Sequence, residues 1–499
     1  MQQDLISKKD VELIGDHIDD IIKQAKKRQM TLIEPYEDEI NKVTNIILDY
    51  IKKNKRKIYG GFALNFLISD KNPDDAIYTK DDIPDIDFYS PEPLKDLVKL
   101  CNELYNAGFK NVMGREALHK ETYSIRVNGQ AYCDITYVPK NIYYKLPFRE
   151  INGFQVIGPE FMMIDYYRMM TDLISYWRLE KAVKRFYLLQ KYYPLPYVKY
   201  PIDIPPSEYQ TNVNILLYNI FNFLQTNQTC IAVGFYAYDH FLKNSGILNA
   251  KTATAKKFKY LEVPYYEIVT SEYKKDAMNL INILKKNTEL ADDIHPIENY
   301  PFFQFLGYSV YIYYKNILIA KVFSNNKRCV PFITVPSDHF TNGNYTKGTD
   351  VIKIGTISTV ILYSLITVIK ARVDQDDSTK KLYYAMISHI TEMKNYYLNT
   401  NGKTIYDDTI FKEFVIECKG IPITPEHEKQ QLIAYRKKKN KKLIYSYDPS
   451  EGIKPDDSTY RFFNSSGNPI KNIKNLKLTG EATEEESEED TEDQDNNSN

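Results

Sequence analysis

The alternation of hydrophobic and polar positions predicts a chain of mixed helices and strands. Residues 10–30 have the spacing of a short amphipathic helical region. A helix is predicted from Tyr36 to Lys53, where Ile40, Val43, Ile46, Ile47 and Tyr50 recur at helical spacing. Ile58-Tyr59-Gly60-Gly61, followed by the apolar run Phe62 to Ile68, reads as strand, glycine turn and helix. The polar, acidic stretch 70–82 predicts a loop, and Asp85 to Tyr89 alternates as a strand does. Leu94 to Ala107 predicts a helix closed by Gly108. Two strand-like runs, 121–127 and 130–138, flank Asn128-Gly129, the strongest short signal for a hairpin. A long helical stretch is predicted over 160–193, and Pro194, Pro196, Pro201, Pro205 and Pro206 then mark a boundary.

Beyond the prolines the pattern begins again, about 180 residues on. Val233-Gly234-Phe235 echoes Tyr59-Gly60-Gly61, and Val263-Pro264-Tyr265-Tyr266-Glu267 echoes Ile83-Pro84-Asp85-Ile86-Asp87. Tyr308–Tyr314 and Ile317–Phe323 form a second predicted hairpin, and a helical stretch follows from residue 353 as one follows from 160. The match predicts a duplication, against the alternative of two coincident strand–helix patterns. Tyr265 and Glu267 occupy the echoes of Asp85 and Asp87, Phe235 replaces Gly61, and the echo of Asp134 falls near Lys321. One carboxylate beside a lysine cannot hold two divalent ions, so this half is expected to serve as scaffold or binding surface. Its strand tyrosines Tyr308, Tyr311, Tyr313 and Tyr314 suit either base stacking or a core. Further helices are predicted near 378–398 and 407–417.

Charge changes this picture more than composition does. The 499 residues are 43% hydrophobic and 26% charged, which excludes a mostly disordered chain. The formal net charge is −1, which taken whole argues against a polyanionic partner. However, residues 481–499 hold ten acids and no base, so residues 1–480 carry +9. The tail is predicted to be disordered, and the body is basic. Basic runs concentrate at Lys52, Lys53, Lys55, Arg56 and Lys57, and at Arg436, Lys437, Lys438, Lys439, Lys441 and Lys442. Each suits salt-dependent contact with an RNA backbone, or simply a solvated surface; the second also suits nuclear localisation. The 43 tyrosines, the single Trp and the abundant Lys, Ile and Asn fit AT-rich coding, common among large DNA viruses.

The five cysteines have no C-x-x-C pair and no histidine at ligand spacing, so neither a zinc site nor a disulfide framework is expected, and a reducing compartment is. The N-terminus lacks an apolar signal core. The longest uncharged run, Ile354 to Ile369, has 16 residues with several Ser and Thr. A membrane span needs ~20 mostly apolar residues, so a buried helix is expected and the protein should be soluble and intracellular.

Three features between residues 59 and 136 carry candidate chemistry. Gly60-Gly61, between a strand and a helix, lets backbone approach a ligand closely, and N–H groups at a helix start favour an anion. Asp85 and Asp87 are i and i+2 of a strand and so share a face, while Ile86 and Phe88 face the core. Like charges that close call for a cation, and two hard divalent ions fit. Asp134, in Tyr132-Cys133-Asp134-Ile135-Thr136, is a lone acid in an uncharged strand, which is costly unless it is paired or metal-bound.

Together these elements resemble the nucleotidyltransferase superfamily of the polymerase β type. Its pattern is hydrophobic-G-[GS], then D-hydrophobic-[DE], then a third acid on a later strand. Within it the chain is most similar to the poxvirus-type poly(A) polymerase catalytic subunit and its relatives in giant DNA viruses. That similarity rests on Trp177-Arg178-Leu179-Glu180-Lys181 after the third Asp and on the second half. The resemblance implies an α+β fold, with a polymerase β-like nucleotidyltransferase domain, helical flanks and a second, degenerate nucleotidyltransferase-like half. Expected divisions are an N-terminal helical region (1–35), the catalytic domain (36–200), the degenerate domain (201–400), a helical and basic extension (401–478) and the acidic tail (479–499).

By resemblance, Asp85, Asp87 and Asp134 would hold two Mg²⁺ or Mn²⁺ ions. Gly60 and Gly61 would cradle the ATP phosphates, with no hydroxyl at Gly61 where many members have Ser. Asn65, Lys181 and Arg185 would approach the nucleotide, although packing for Asn65 and a solvated face for the other two are alternatives. The implied partners are ATP and an RNA 3′ end, with a homodimer or a methyltransferase-type processivity partner and no membrane. The implied place is the host cytoplasm, in a viral factory, or the virion. Another nucleotidyltransferase activity and a silent RNA-binding subunit are the rival functions.

Overall fold

A computed structural model describes residues 6–33, 37–78, 85–250, 253–286, 289–326, 328–341, 344–451, 469–472 and 478. The acidic tail, residues 79–82 of the predicted loop and residues 83–84 lie outside the described residues. The chain divides into two compact units, one of residues 1–137, 148–156 and 442–457, the other of 138–147, 157–441 and 458–499.

In the first unit, helices Lys8–Asp16 and Ile18–Ile33 fill the predicted amphipathic region. Helix Glu37–Lys53 buries Ile40, Val43, Ile47, Tyr50 and Ile51. Strand β1 (Lys57–Tyr59) leads directly into helix Gly60–Lys71. Then follow β2 (Ile86–Ser90), helix Pro93–Asn106, β3 (Val112–Glu116), β4 (Thr122–Val127) and β5 (Gln130–Tyr137). The Asn128-Gly129 turn has φ of +51° and +83°, the left-handed pair a tight hairpin needs. β6 (Phe148–Ile151) and β7 (Phe154–Ile157) complete a sheet in the order Ser446–Tyr447, β3, β4, β5, β2, β1, β7, β6.

Register across this sheet separates core from chemistry. Ile58, Phe88 and Ile135 form one fully buried row across β1, β2 and β5. The neighbouring row, Tyr59, Asp87 and Asp134, has the opposite facing because side chains alternate along each strand.

The second unit holds a nine-stranded sheet. It contains β8 (Cys230–Val233), β9 (Tyr266–Thr270), β10 (Ile294–Asn299), β11 (Ser309–Tyr314), β12 (Ile317–Ser324) and β13 (Val330–Pro336). With Val351–Gly355, Cys418–Lys419 and Pro469–Asn472, the order is Cys418–Lys419, β13, Val351–Gly355, β8, β9, β12, β11, β10, Pro469–Asn472. Helix Gly234–Ser245 follows β8 as helix Gly60–Lys71 follows β1. β8 pairs antiparallel with β9, opposing Val233 to Glu267, as β1 and β2 oppose Tyr59 to Asp87. β9 pairs parallel with β12, opposing Glu267 to Lys321, as β2 and β5 oppose Asp87 to Asp134. The second unit therefore repeats the strand–helix–strand order and the register of the first at the positions the sequence echoes mark.

Five expectations are corrected. The stretch 160–193 is two helices, Pro159–Thr171 and Leu179–Tyr192, joined by a 3-10 segment, Leu173–Arg178. The Asp172 side chain accepts from the Ile174 N–H, a local bond that competes with continuing the helix. Residue 353 lies in a strand, and the following helix, Ile357–Asp374, starts only where the Thr356 hydroxyl caps Thr359. Residues 407–417 form turns rather than a helix. Cys329 and Cys418 form a disulfide, because the pairing of β13 with Cys418–Lys419 sets Pro331 opposite Cys418. No local motif signals a pair 89 residues apart in sequence. Residues 157–200, grouped by sequence with the first half, belong to the second unit; there Phe161 packs on Phe305 with ring centroids 4.7 Å apart.

Candidate active site

The site begins at Gly60. Its φ is +70°, and a Cβ there would run into the Asp87 carboxylate, so only glycine fits. Gly61 is an ordinary helical position. No side chain caps this helix start, leaving its first N–H groups to other acceptors.

Asp85 stands exposed just before β2, Asp87 is half-buried within it, and Asp134 is half-buried beside Asp87 on β5. Burial raises the Asp134 carboxyl above its ordinary value. A hydrogen bond from Ser124 opposes this, the negative charge of Asp85 adds to it, and Arg126 lowers it. Asp87 and Asp134 share a sheet face in register, and Asp85 immediately precedes β2. Among the described residues they do not close into a preformed cage of three converged ligands. They nevertheless fit divalent ions, because they are hard oxygen donors, and burial and the charge of Asp85 both raise the Asp134 carboxyl, an effect a bound cation would offset.

The sequence reading missed what surrounds them. Tyr59 stacks on Tyr89 with centroids 3.9 Å apart and an interplanar angle of 5°. The Tyr59 hydroxyl meets Thr136 Oγ1 at 2.7 Å, and Thr136 meets Thr122 Oγ1 at 3.0 Å. All lie on the carboxylate face by strand period, the signal that could have found them.

Asn65 is occupied elsewhere: its Oδ1 accepts the N–H groups of Ile77 and Tyr78, each at 3.0 Å, anchoring the chain that leads toward Asp85. Lys181 and Arg185 lie on helix Leu179–Tyr192 of the second unit, Lys181 exposed and Arg185 half-buried. Within the first basic run Lys52, Lys53 and Lys55 are exposed, but Arg56 and Lys57 are not RNA-facing. Arg56 grips the buried Asp96 at 2.7 and 2.8 Å, and Tyr50 donates to the same carboxylate. Lys57 is buried at the start of β1, its ammonium 5.0 Å from the Phe148 ring centre, and burial lowers it to about 8. In the second run Arg436 is buried, while Lys437, Lys438, Lys439 and Lys442 are exposed and Lys441 is half-buried.

The matching site in the second unit is closed. Gly234, with φ +63°, abuts Glu267 as Gly60 abuts Asp87. Lys321 Nζ stands 3.2 Å from Glu267 Oε1, and Tyr265 and Tyr383 share a 3.0 Å hydroxyl contact beside them. Burial pulls the Lys321 ammonium down, but Glu267, Tyr265 and Tyr311 together outweigh it and raise it above its ordinary value. A fixed internal cation thus occupies the place of an exchangeable one. The strand tyrosines Tyr308 and Tyr314 are buried, and Tyr311 and Tyr313 are half-buried. Among the described residues no helix is long and apolar enough to cross a membrane.

A glycine-led helix, Asp-x-Asp on the adjacent strand and a third Asp in register define a nucleotidyltransferase of the polymerase β type. Residues 45–175 match a family model described as the poly(A) polymerase catalytic subunit. Residues 189–479 match one described as the C-terminal part of the putative poly(A) polymerase catalytic subunit of APMV. The chain is 33% identical over 480 residues to the putative poly(A) polymerase catalytic subunit of Acanthamoeba polyphaga mimivirus, covering 92% of this chain and 82% of that one. Its African swine fever virus counterpart (strain Badajoz 1971 Vero-adapted) is 28% identical over 183 residues, 35% of this chain and 37% of that protein. The crystal structure of the Megavirus polyadenylate synthase superposes with a TM-score of 0.83 at 34% identity, over 95% of each chain. The chain belongs to the viral poly(A) polymerase catalytic subunit family, and its reaction class is that of a poly(A) polymerase.

Proposed function

We propose that residues 59–136 catalyse transfer of AMP from ATP to an RNA 3′ end. The bond from the 3′-oxygen to the α-phosphorus forms as the α–β phosphoanhydride breaks and pyrophosphate leaves. The register that sets Asp87 beside Asp134 on one sheet face, with Asp85 two residues before, carries this reading. Asp85, Asp87 and Asp134 are the groups that would hold two Mg²⁺ or Mn²⁺ ions, which when bound supply charge neutralisation and polarise the reacting oxygens. Gly60 and Gly61 offer backbone N–H groups to the β- and γ-phosphates. Asp134 would complete the ligand set of the ion that activates the RNA 3′-hydroxyl. The Tyr59–Tyr89 stack and the Thr136 and Thr122 hydroxyls brace the strands that carry the carboxylates.

The exposed lysines of both basic runs are assigned to the RNA backbone. The second unit's site is a scaffold, because Lys321 occupies it. The chain's place of work is assigned to the host cytoplasm, in a viral factory, or to the virion, and processivity falls to self-association or to a second subunit, which light scattering with and without RNA separates. Asp85→Ala and Asp134→Ala should each abolish primer extension while the melting curve stays cooperative. Undiminished tailing by either variant would remove the site assignment.

A further inference from the structure

Helix Leu179–Tyr192 and the 3-10 segment before it present a surface that neither the proposed chemistry nor core packing explains. The inner side of the helix is ordinary. Ala182 and Leu189 are buried, and Phe186 meets Tyr167 and Tyr166 with ring centroids 5.2 and 6.3 Å apart. Helical period sends Glu180, Lys184, Tyr187 and Lys191 to the opposite side. Such a side is normally polar. Here it exposes Tyr187 (59%), and the preceding segment exposes Tyr176 (76%) and Trp177 (65%). The Arg178 guanidinium lies over the Trp177 ring, 4.4 Å from its centre. Residues 176–191 hold five bases and one acid, and that acid, Glu180, is paired with Lys184 at 2.8 Å.

Large exposed rings set among cations call for a ligand with flat faces and repeated negative charge. Ten residues separate Trp177 from Tyr187, about 15 Å of helix, the length of a few nucleotides. A duplex hides its base faces within its own stack and offers these rings nothing. A protein partner fits less well, because lysine is depleted from the cores of protein interfaces. We propose that Tyr176, Trp177 and Tyr187, with Arg178 and Lys184, form a stacking platform for single-stranded RNA, carried wholly by the second unit. It rests on the poly(A) polymerase reading only for the choice of RNA.

Trp177 is the sole tryptophan, so it reports on its own surface. The full chain, with chelator and without ATP, is titrated with oligo(A) while its emission is followed. Saturable quenching is expected. Trp177→Ala and Tyr187→Ala should each weaken binding of labelled oligo(A) about tenfold, with Trp177→Phe intermediate. Lys184→Glu should make binding less steeply dependent on salt. Melting curves should be unchanged, because all these side chains are exposed. Binding without quenching overturns the proposal, as do alanine variants that bind like the parent. A Trp emission shift that follows protein concentration rather than RNA marks the face as a protein contact, which also overturns it. A chain that quenches with oligo(A) but adds no nucleotide sinks the catalytic reading and leaves the platform standing. One that tails RNA without quenching sinks the platform alone.

Discussion

At the residue scale, Gly60 and Gly61 look alike in sequence and differ in the fold. Gly60 has a positive φ and touches the Asp87 carboxylate, whereas Gly61 is an ordinary helical residue. Gly60→Ala should therefore abolish primer extension and cost ~1–2 kcal/mol in stability, while Gly61→Ser should keep both. Asp134 gives a second test. Its folded-state carboxyl is raised by burial, so the metal-free fold holds that proton more tightly than the unfolded chain does. The resulting stability is present at low pH and lost as pH rises through the raised value. At neutral pH in chelator, Asp134→Asn should thus melt no lower than the parent, and added Mg²⁺ or Mn²⁺ should raise the Tm of the parent alone. Lys57 titrates the other way. Burial lowers it to about 8 from 10.5, so the unfolded chain binds more protons across that window and stability from this group grows as pH rises through it. Urea melts of the parent and of Lys57→Met should show the parent gaining on the variant between those pH values. The three aspartates were legible because strand period and spacing are local properties. Arg56, Lys57 and Arg436 were misread because a basic run looks the same whether it is solvated or folded inward.

At the element scale, the duplicated strand–helix–strand unit carries aspartates in register in one copy and a Glu267–Lys321 ion pair at the same register in the other. Lys321 fills the second site with a tethered ammonium. Lys321→Met leaves the buried Glu267 unpaired and should cost about 3–5 kcal/mol, whereas the double variant Glu267→Gln/Lys321→Met should recover most of it in denaturant melts. The repeat was readable because its glycine and hairpin signals sit in the same order in both halves. The break at Asp172 was not, since a capping side chain inside an apolar periodicity leaves the period intact. The Cys329–Cys418 bond was not readable either, because it follows from pairing two strands far apart in sequence.

At the scale of the whole molecule, a net charge of −1 hides a basic body behind an acidic tail. RNA affinity should accordingly fall steeply with salt, and charge reversal at Lys437, Lys438, Lys439 and Lys442 should flatten that slope. The same changes at Arg56 or Lys57 should lower stability without altering it. Base choice is a property of the whole enzyme that no single motif displays, and it decides the central claim. The direct measurement offers each nucleoside triphosphate separately to the full chain with an oligo(A) primer and Mg²⁺ or Mn²⁺. Long products with ATP, and short or no products with the other three, are predicted. Equal extension with another triphosphate, or none with ATP, would contradict the account.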